Sequence, residues 1–281
     1  MALRHDLVGG EWAAGNRRWE AADTALYALG VGAGADDPGA ELRFTTDDSV
    51  GHPPAVLPTF ATTLLDRDRQ PSFGDYDPAH LLHTHQSLTV FGPLPTHGAA
   101  VSTSRLTALY DRRPSAVAVI DSTCVEQDTG RTLAELRTGL TIRREGGFGG
   151  DPGPEMAWQT PERPPDRTVD YRTAPNQALL YRLSGDRNPL HSDPSVAARL
   201  GLGTPLLHGL CTFGFAGRAV LRDLCGGDPD LFGTMSARFS APVYPGQALS
   251  VWIWERDGGA VFQVRTGRRV VLDAGRFTRR G

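Results

Sequence analysis

Lysine is missing altogether from this 281-residue chain: all 29 of its basic side chains are arginine. That excludes Schiff-base chemistry on a side-chain amine and leaves arginine as the only strong cation for phosphate groups. Cysteine is scarce. Cys124, Cys211 and Cys225 are odd in number and none forms a CxxC pair, which argues against a disulfide framework and for free thiols in a reducing compartment. Long apolar runs are lacking too. No stretch reaches the roughly 18 apolar residues of a membrane helix, and the opening MALRHDLVGG has no apolar run after its basic residue, unlike a signal peptide. The formal net charge is -3, so no global field draws the chain to nucleic acid or anionic lipid. A cytoplasmic protein with neither a nucleic-acid nor a membrane partner is expected.

What is present is ordinary in bulk, with 40% hydrophobic and 22% charged residues, and is long enough for one large domain or two smaller ones. The clearest seam is 144–166, REGGFGGDPGPEMAWQTPERPPD. Its Gly and Pro exclude a long helix or a central strand. It divides the chain into an N-terminal unit at 1–150, a linker at 151–166 and a C-terminal unit at 167–281. In the C-terminal unit a short strand is expected at 167–171 and a short helix or turn at 175–183. Asp193-Pro194 reads as a helix N-cap and first position, with Gly201 ending that helix. Thr204-Pro205 offers a second start, for an apolar run at 206–224 that should form a buried helix. Its Gly209, Gly214 and Gly217 imply that something packs close against it. Strands are expected at 234–239, 248–254, 260–266 and 269–277. The N-terminal unit has a similar order. A short helix at 22–29 ends at Gly30, a stretch from Pro58 can begin a buried helix, and strands follow at 81–91, 99–111, 115–128 and 132–143. A buried helix and about four antiparallel strands, stated twice, indicate an α+β chain of two related units. The inference rests on element order, since no residue-by-residue repeat joins the halves.

The chemistry concentrates at 181–191, YRLSGDRNPLH. Asp186, Asn188 and His191 lie within six residues on a segment that reads as a turn, which Pro189 stiffens. A carboxylate and an imidazole around one water form an acid/base pair, and an Asn can orient the water without titrating. The same residues are also common turn formers and helix caps, so composition leaves both readings open. Leu207-His208-Gly209-Leu210 opens the buried helix, where first-turn amides lack internal partners. The Gly209 N–H can face a developing oxyanion, or the glycine can serve close packing alone. Other signals are weaker. Gly30-Val-Gly-Ala-Gly34 has the wrong spacing for a dinucleotide loop. His83 and His85 alternate, should share one strand face, and have no clear third ligand for a metal. Asp36, Asp37, Asp47 and Asp48 read as solvated loop charges.

The motif at 181–191 resembles that of the hydratase 2 part of the peroxisomal multifunctional β-oxidation enzyme, within the broader MaoC-like (R)-specific enoyl-CoA hydratase group. Further similar stretches are LLHGLCTFGFAGRAVL from Leu206, ARFSAPVYPGQ from Ala237, GGFGG from Gly146, LYALGVGA from Leu26, LPTF from Leu57 and FGPLP from Phe91. They span nearly the whole chain. The resemblance implies a double hot-dog fold, in which each unit wraps an antiparallel sheet around a long helix and only the C-terminal unit keeps the catalytic motif. It implies hydration of trans-2-enoyl-CoA to (3R)-3-hydroxyacyl-CoA, or the reverse dehydration, in fatty acid or sterol side-chain β-oxidation. Asp186 and His191 would activate the water, Asn188 assist, and the Gly209 amide bind the thioester oxygen. His83, Thr84, Arg112, Arg187, Pro189, Leu190 and Phe239 stand at or near substrate-contacting positions. The family's Leu-His-Gly-Glu-Gln reads here as Leu82-His-Thr-His-Gln86, a departure at Thr84 and His85. No metal and no cofactor are implied, the CoA thioester being the substrate, and a homodimer is expected. The alternatives are a dehydratase of acyl-carrier-protein or polyketide thioesters, a non-catalytic acyl-CoA-binding subunit, and a thioesterase.

Overall fold

A computed structural model describes residues 3–47, 49–155 and 157–281. Asp48, one of the expected loop charges, lies outside the described residues. Ten strands form one sheet: β1 (Glu11–Trp19), β2 (Leu81–Val90), β3 (Gly98–Arg112), β4 (Ser115–Glu126), β5 (Thr132–Ile142), β6 (Arg167–Arg172), β7 (Phe232–Phe239), β8 (Ala248–Arg256), β9 (Gly259–Thr266) and β10 (Arg269–Arg279). The helices are α1 (Ala21–Gly30), α2 (Leu42–Thr45), α3 (Gln177–Tyr181), α4 (Pro194–Arg199) and α5 (Gly209–Cys225). Strand order across the sheet is β1-β3-β4-β5-β2-β7-β10-β9-β8-β6. Every pairing in it is antiparallel.

The order is a palindrome of two equivalent five-strand units. In each, the first strand lies at the outer edge, the second at the centre, and the third, fourth and fifth fill the space between. The units join where β2 pairs with β7, from His85 opposite Arg238 to Thr89 opposite Thr234. The expected strands are all present, several a residue or two longer. The segment between β5 and β6 carries no helix or strand among its described residues.

Helix α5 runs behind the C-terminal half of the sheet with nearly all its residues buried. Phe213, Phe215, Val220 and Leu221 are almost fully shielded, each contributing about 1.5–3 kcal/mol of apolar burial. The glycines on this helix have a packing reason. A Cβ at Gly214 would collide with Val31 at the end of α1, and one at Gly217 would lie 2.5 Å from Thr59. Side chains of the N-terminal unit therefore press directly on the α5 backbone. Buried Arg218 adds a second tie: it pairs with Glu41 and donates Nη1–H to the Val31 carbonyl at 2.8 Å.

The fold departs from the sequence reading in three places. The N-terminal unit has no long helix: the stretch from Pro58 forms a 3-10 turn, Pro58–Thr63, and the ten-residue α1 is its longest helix among the described residues. Three threonines in PTFATT compete for the backbone, as when the Thr62 hydroxyl donates to the Thr59 carbonyl at 2.9 Å. Helix α5 starts at Gly209, not at Thr204-Pro205. The intervening residues are committed elsewhere, the Leu207 amide donating to the Val243 carbonyl at 2.8 Å. Edge strand β1 has no regular alternation in the sequence, because a register shift between Ala13 and Gly15 breaks it.

Candidate active site

The segment that follows α3 builds the site. After α3 and a 3-10 turn (Arg182–Ser184), the chain reverses at Gly185 with φ +129°, a backbone region that favours glycine. Asp186 then opens a chain of local caps. Its Oδ1 accepts the Asn188 amide at 3.2 Å, and Asn188 Oδ1 accepts the Leu190 amide at 3.0 Å. Pro189 occupies the first position of the next 3-10 turn, Pro189–His191. Asp193 caps α4 through the Ser195 amide at 2.7 Å, as the sequence suggested. These bonds hold Asp186 and His191 on one rigid hook with no long element beneath it.

Two ring contacts complete the constellation. His191 donates Nδ1–H to the Leu206 carbonyl at 2.9 Å, which directs the other ring nitrogen, Nε2, away from that carbonyl. His208, the N-cap of α5, is buried and donates Nε2–H to the main-chain carbonyl of Asp186 at 3.1 Å. The His191 and His208 rings stack, with centroids 3.7 Å apart and planes inclined by 27°. Tyr181 lies against the far side of the group, 4.9 Å from the His208 ring. Sequence reasoning quoted His208 only as the neighbour of Gly209. Its signal was available: a histidine at a buried helix start requires a partner for its ring N–H.

The potential ligand atoms of Asp186, His191 and His208 all lie within 4.8 Å of one another. A metal ion fits this set poorly. The lone pairs lie in the planes of two stacked rings, 3.7 Å apart and inclined by only 27°, so they do not meet at one point about 2.0–2.1 Å from both nitrogens, as a tetrahedral ion needs. The arrangement suits a carboxylate and an imidazole sharing a water.

Gly209 is the first residue of α5, so its amide has no intrahelical acceptor and sits at the positive end of the dipole. A Cβ here would stand 3.0 Å from the Phe239 ring. The glycine therefore serves close packing, and it is among the residues that line a large cavity. That cavity has a volume of about 850 Å3 and lies between the two units. Strand β2 supplies Leu81, Leu82, His83 and Thr84; the hook supplies Asp186, Asn188, Leu190 and His191; Val196, Leu200, Leu206, Phe239 and Val271 add apolar wall. Exposed Arg143 and Arg199 also line it.

The remaining sequence-derived candidates divide. His83 packs edge-on against Phe239, with ring centroids 4.8 Å apart. Thr84 shares a hydrogen bond of 2.9 Å with Thr141. Arg187 and Pro189 are exposed and are not among the residues lining the cavity. Arg112 does not line it either. Its guanidinium binds the carbonyls of Pro152, at 2.8 Å, and Pro154, so it ties down the linker where a CoA contact was expected. His83 and His85 do not share a face. A bulge between them sends His83 into the cavity and leaves His85 close to Arg137 and Arg238. Burial, and then those two charges, push the His85 pKa below its ordinary value.

Comparison with known proteins places the chain in a family. The MaoC like domain matches residues 157–274, and the MFE-2 hydratase 2 N-terminal domain matches residues 18–144. The chain is 42% identical to 3-hydroxyacyl-thioester dehydratase Y of Mycobacterium tuberculosis, over 92% of this chain and 91% of that one. It is 37% identical to the peroxisomal enoyl-CoA hydratase 2 of Arabidopsis thaliana, over 88% and 85%. Among solved structures, a MaoC-like dehydratase from Phytophthora capsici superposes with a TM-score of 0.85 at 29% identity, covering 100% of this chain and 98% of the other.

Proposed function

Because the chain belongs to the family of MaoC-like domain proteins that carry an MFE-2 hydratase 2 N-terminal domain, we propose that it adds water to trans-2-enoyl-CoA, giving (3R)-3-hydroxyacyl-CoA, and catalyses the reverse dehydration. The observation that carries this reading is the placement of Asp186, His191 and the first-turn amide of α5 on the wall of one apolar cavity.

The chemistry follows from those groups. A neutral His191 with Nδ1–H on the Leu206 carbonyl presents Nε2 as an acceptor. Nε2 and the Asp186 carboxylate hold a water between them and remove one of its protons as its oxygen bonds to C3. Negative charge then builds on the thioester oxygen, where the Gly209 N–H donates; one such donor is typically worth about 10²–10³ in rate. The proton returns to C2, and H and OH have been added across the double bond with nothing left over. His208 acts through Asp186 and His191 and is a positioning residue. The reading requires neither metal nor redox cofactor; the near-parallel rings of His191 and His208 argue against a metal ion between them.

For the CoA phosphates we assign Arg143 and Arg199, supported by their exposure on the cavity lining and by the absence of lysine. The proposal extends to β-oxidation of fatty acyl or sterol side-chain thioesters, to a homodimer, and to a cytoplasmic location. The three cysteines, all free and buried, support the last of these. No helix among the described residues is long and apolar enough to cross a membrane. A relative named for 3-hydroxyacyl thioesters keeps carrier-protein thioesters as a second substrate reading. The test is a panel of trans-2-enoyl thioesters of CoA and of acyl-carrier protein, followed by loss of the conjugated thioester absorbance and chiral analysis of the product. If no chain length on either carrier is bleached, or if thiol is released instead, the proposal fails.

A further inference from the structure

A second cavity, of about 30 Å3, lies on the other side of Asp186. Thr62, Thr63 and Leu65 of the N-terminal unit line it, together with Tyr181, Ser184, Gly185, Asp186 and Leu210. Asp186 and Leu210 line both cavities and so form the partition between them. About 10–15 Å3 of such space holds one water, so the chamber is sized for two or three. Its depth is made of buried Thr62, Ser184 and Tyr181, while Gly185 is exposed and Thr63 and Leu65 are half-buried. The chamber therefore reaches the surface between the two units, away from the acyl pocket.

One side chain bridges the two units beside the chamber. Arg17 Nη1 donates to the Thr63 carbonyl and to the Ser184 carbonyl, both at 2.7 Å. Its guanidinium lies 5.4 Å from the Phe60 ring centroid. One nitrogen thus ties half-buried Thr63 of one unit to buried Ser184 of the other, immediately before the Gly185–Asp186 turn.

We propose that this chamber is the water port of the enzyme: the nucleophilic water reaches Asp186 through it, and exchanges with solvent there while acyl-CoA still fills the large pocket. The physical need is plain. An acyl chain seated in an apolar cavity expels water from that side, yet every turnover consumes or releases one water at C3. A polar-lined chamber behind the carboxylate supplies it without opening the acyl side. The proposal rests on the hydratase reading above.

The test uses the intact protein. Unlabelled (3R)-3-hydroxyacyl-CoA is incubated in oxygen-18 water with a large pool of enoyl-CoA deuterated in its acyl chain. Dehydration breaks the C3–O bond and removes a C2 proton, leaving bound enoyl thioester and one water. Enoyl that leaves the site is diluted into the deuterated pool. Oxygen-18 in a hydroxyacyl-CoA with an undeuterated chain therefore reports water that exchanged while the enoyl stayed bound. Such product is expected several-fold above the level set by dilution, and Thr63→Leu, which fills the chamber, is expected to bring it down to that level. Oxygen-18 at the dilution level in the wild type, or an undiminished excess in Thr63→Leu, overturns the port. If the deuterated pool itself is never hydrated, the hydratase reading falls first, and the two failures are distinguished in one reaction.

Discussion

His208 holds Asp186 by its main chain: the ring Nε2–H of the one donates to the backbone carbonyl of the other at 3.1 Å, across the gap between the Asp186–His191 hook and the start of α5. The same ring stacks on His191. One buried imidazole thus sets the position of both titratable partners. His208→Phe keeps the ring and loses the donor. It is expected to lower kcat about tenfold or more, and to cost about 1–3 kcal/mol of stability from the carbonyl left without its donor. Steady-state kinetics and a denaturant titration check the two effects together.

Asp186→Asn is expected to lower kcat by about 10²–10⁴, the range for a positioned acid/base group. The amide is isosteric and still accepts the Asn188 N–H, so the thermal midpoint should stay within a few degrees of wild type. Full activity in this variant would remove Asp186 from the mechanism.

Gly209→Ala sets a new methyl group 3.0 Å from the Phe239 ring. Activity is expected to drop about 10²-fold as the amide is displaced from the thioester oxygen. Combining it with Phe239→Leu makes room for the methyl group. The double variant should recover part of the loss, a coupling that a double-mutant cycle reads directly. Purely additive losses would disprove the displacement.

Arg143→Ala and Arg199→Ala are expected to raise KM for enoyl-CoA with little change in kcat, and to flatten the salt dependence of kcat/KM. Arg112→Ala is the contrast. Its guanidinium is spent on the linker carbonyls of Pro152 and Pro154, so KM should not move. A raised KM in Arg112→Ala alone would reverse the assignment.

Asp111 gives a prediction in pH. Its carboxylate accepts the Gly147 amide at 2.6 Å and the Gly149 amide at 2.7 Å. The Gly147 bond chiefly, and then the Gly149 bond, hold its pKa below the ordinary carboxylate value. A depressed carboxylate stabilises the fold fully above its unfolded pKa, near 3.9, and loses that contribution as pH falls through its folded pKa. Asp111→Asn should therefore melt below wild type at neutral pH, and the gap should close under acid. A gap that stays constant down to about pH 3 would contradict this.

The strands and the motif were legible because each is local. Alternation in β3, β4 and β5 is a two-residue period that a reader can count, and YRLSGDRNPLH carries its own turn residues. What escaped depends on distant partners. The start of α5 is decided by Val243, which takes the Leu207 amide. The position of Arg112 is decided by two linker carbonyls forty or so residues on. His208 becomes meaningful only when Asp186 folds back over it, and the resemblance alone named the residues at the cavity without saying which of them line it. The missing long helix of the N-terminal unit is intermediate: PTFATT carried the warning in its β-branched residues, but its apolar content read more loudly.

The palindromic strand order has a consequence for how the cavity is built. One unit supplies Asp186 and His191 to its lining, and the other supplies Leu81 and Leu82 from β2. The two contributions stand on different strands and different hydrogen-bond networks. A substitution at Leu81 or Leu82 can therefore change the shape of the cavity while leaving every bond around Asp186 intact.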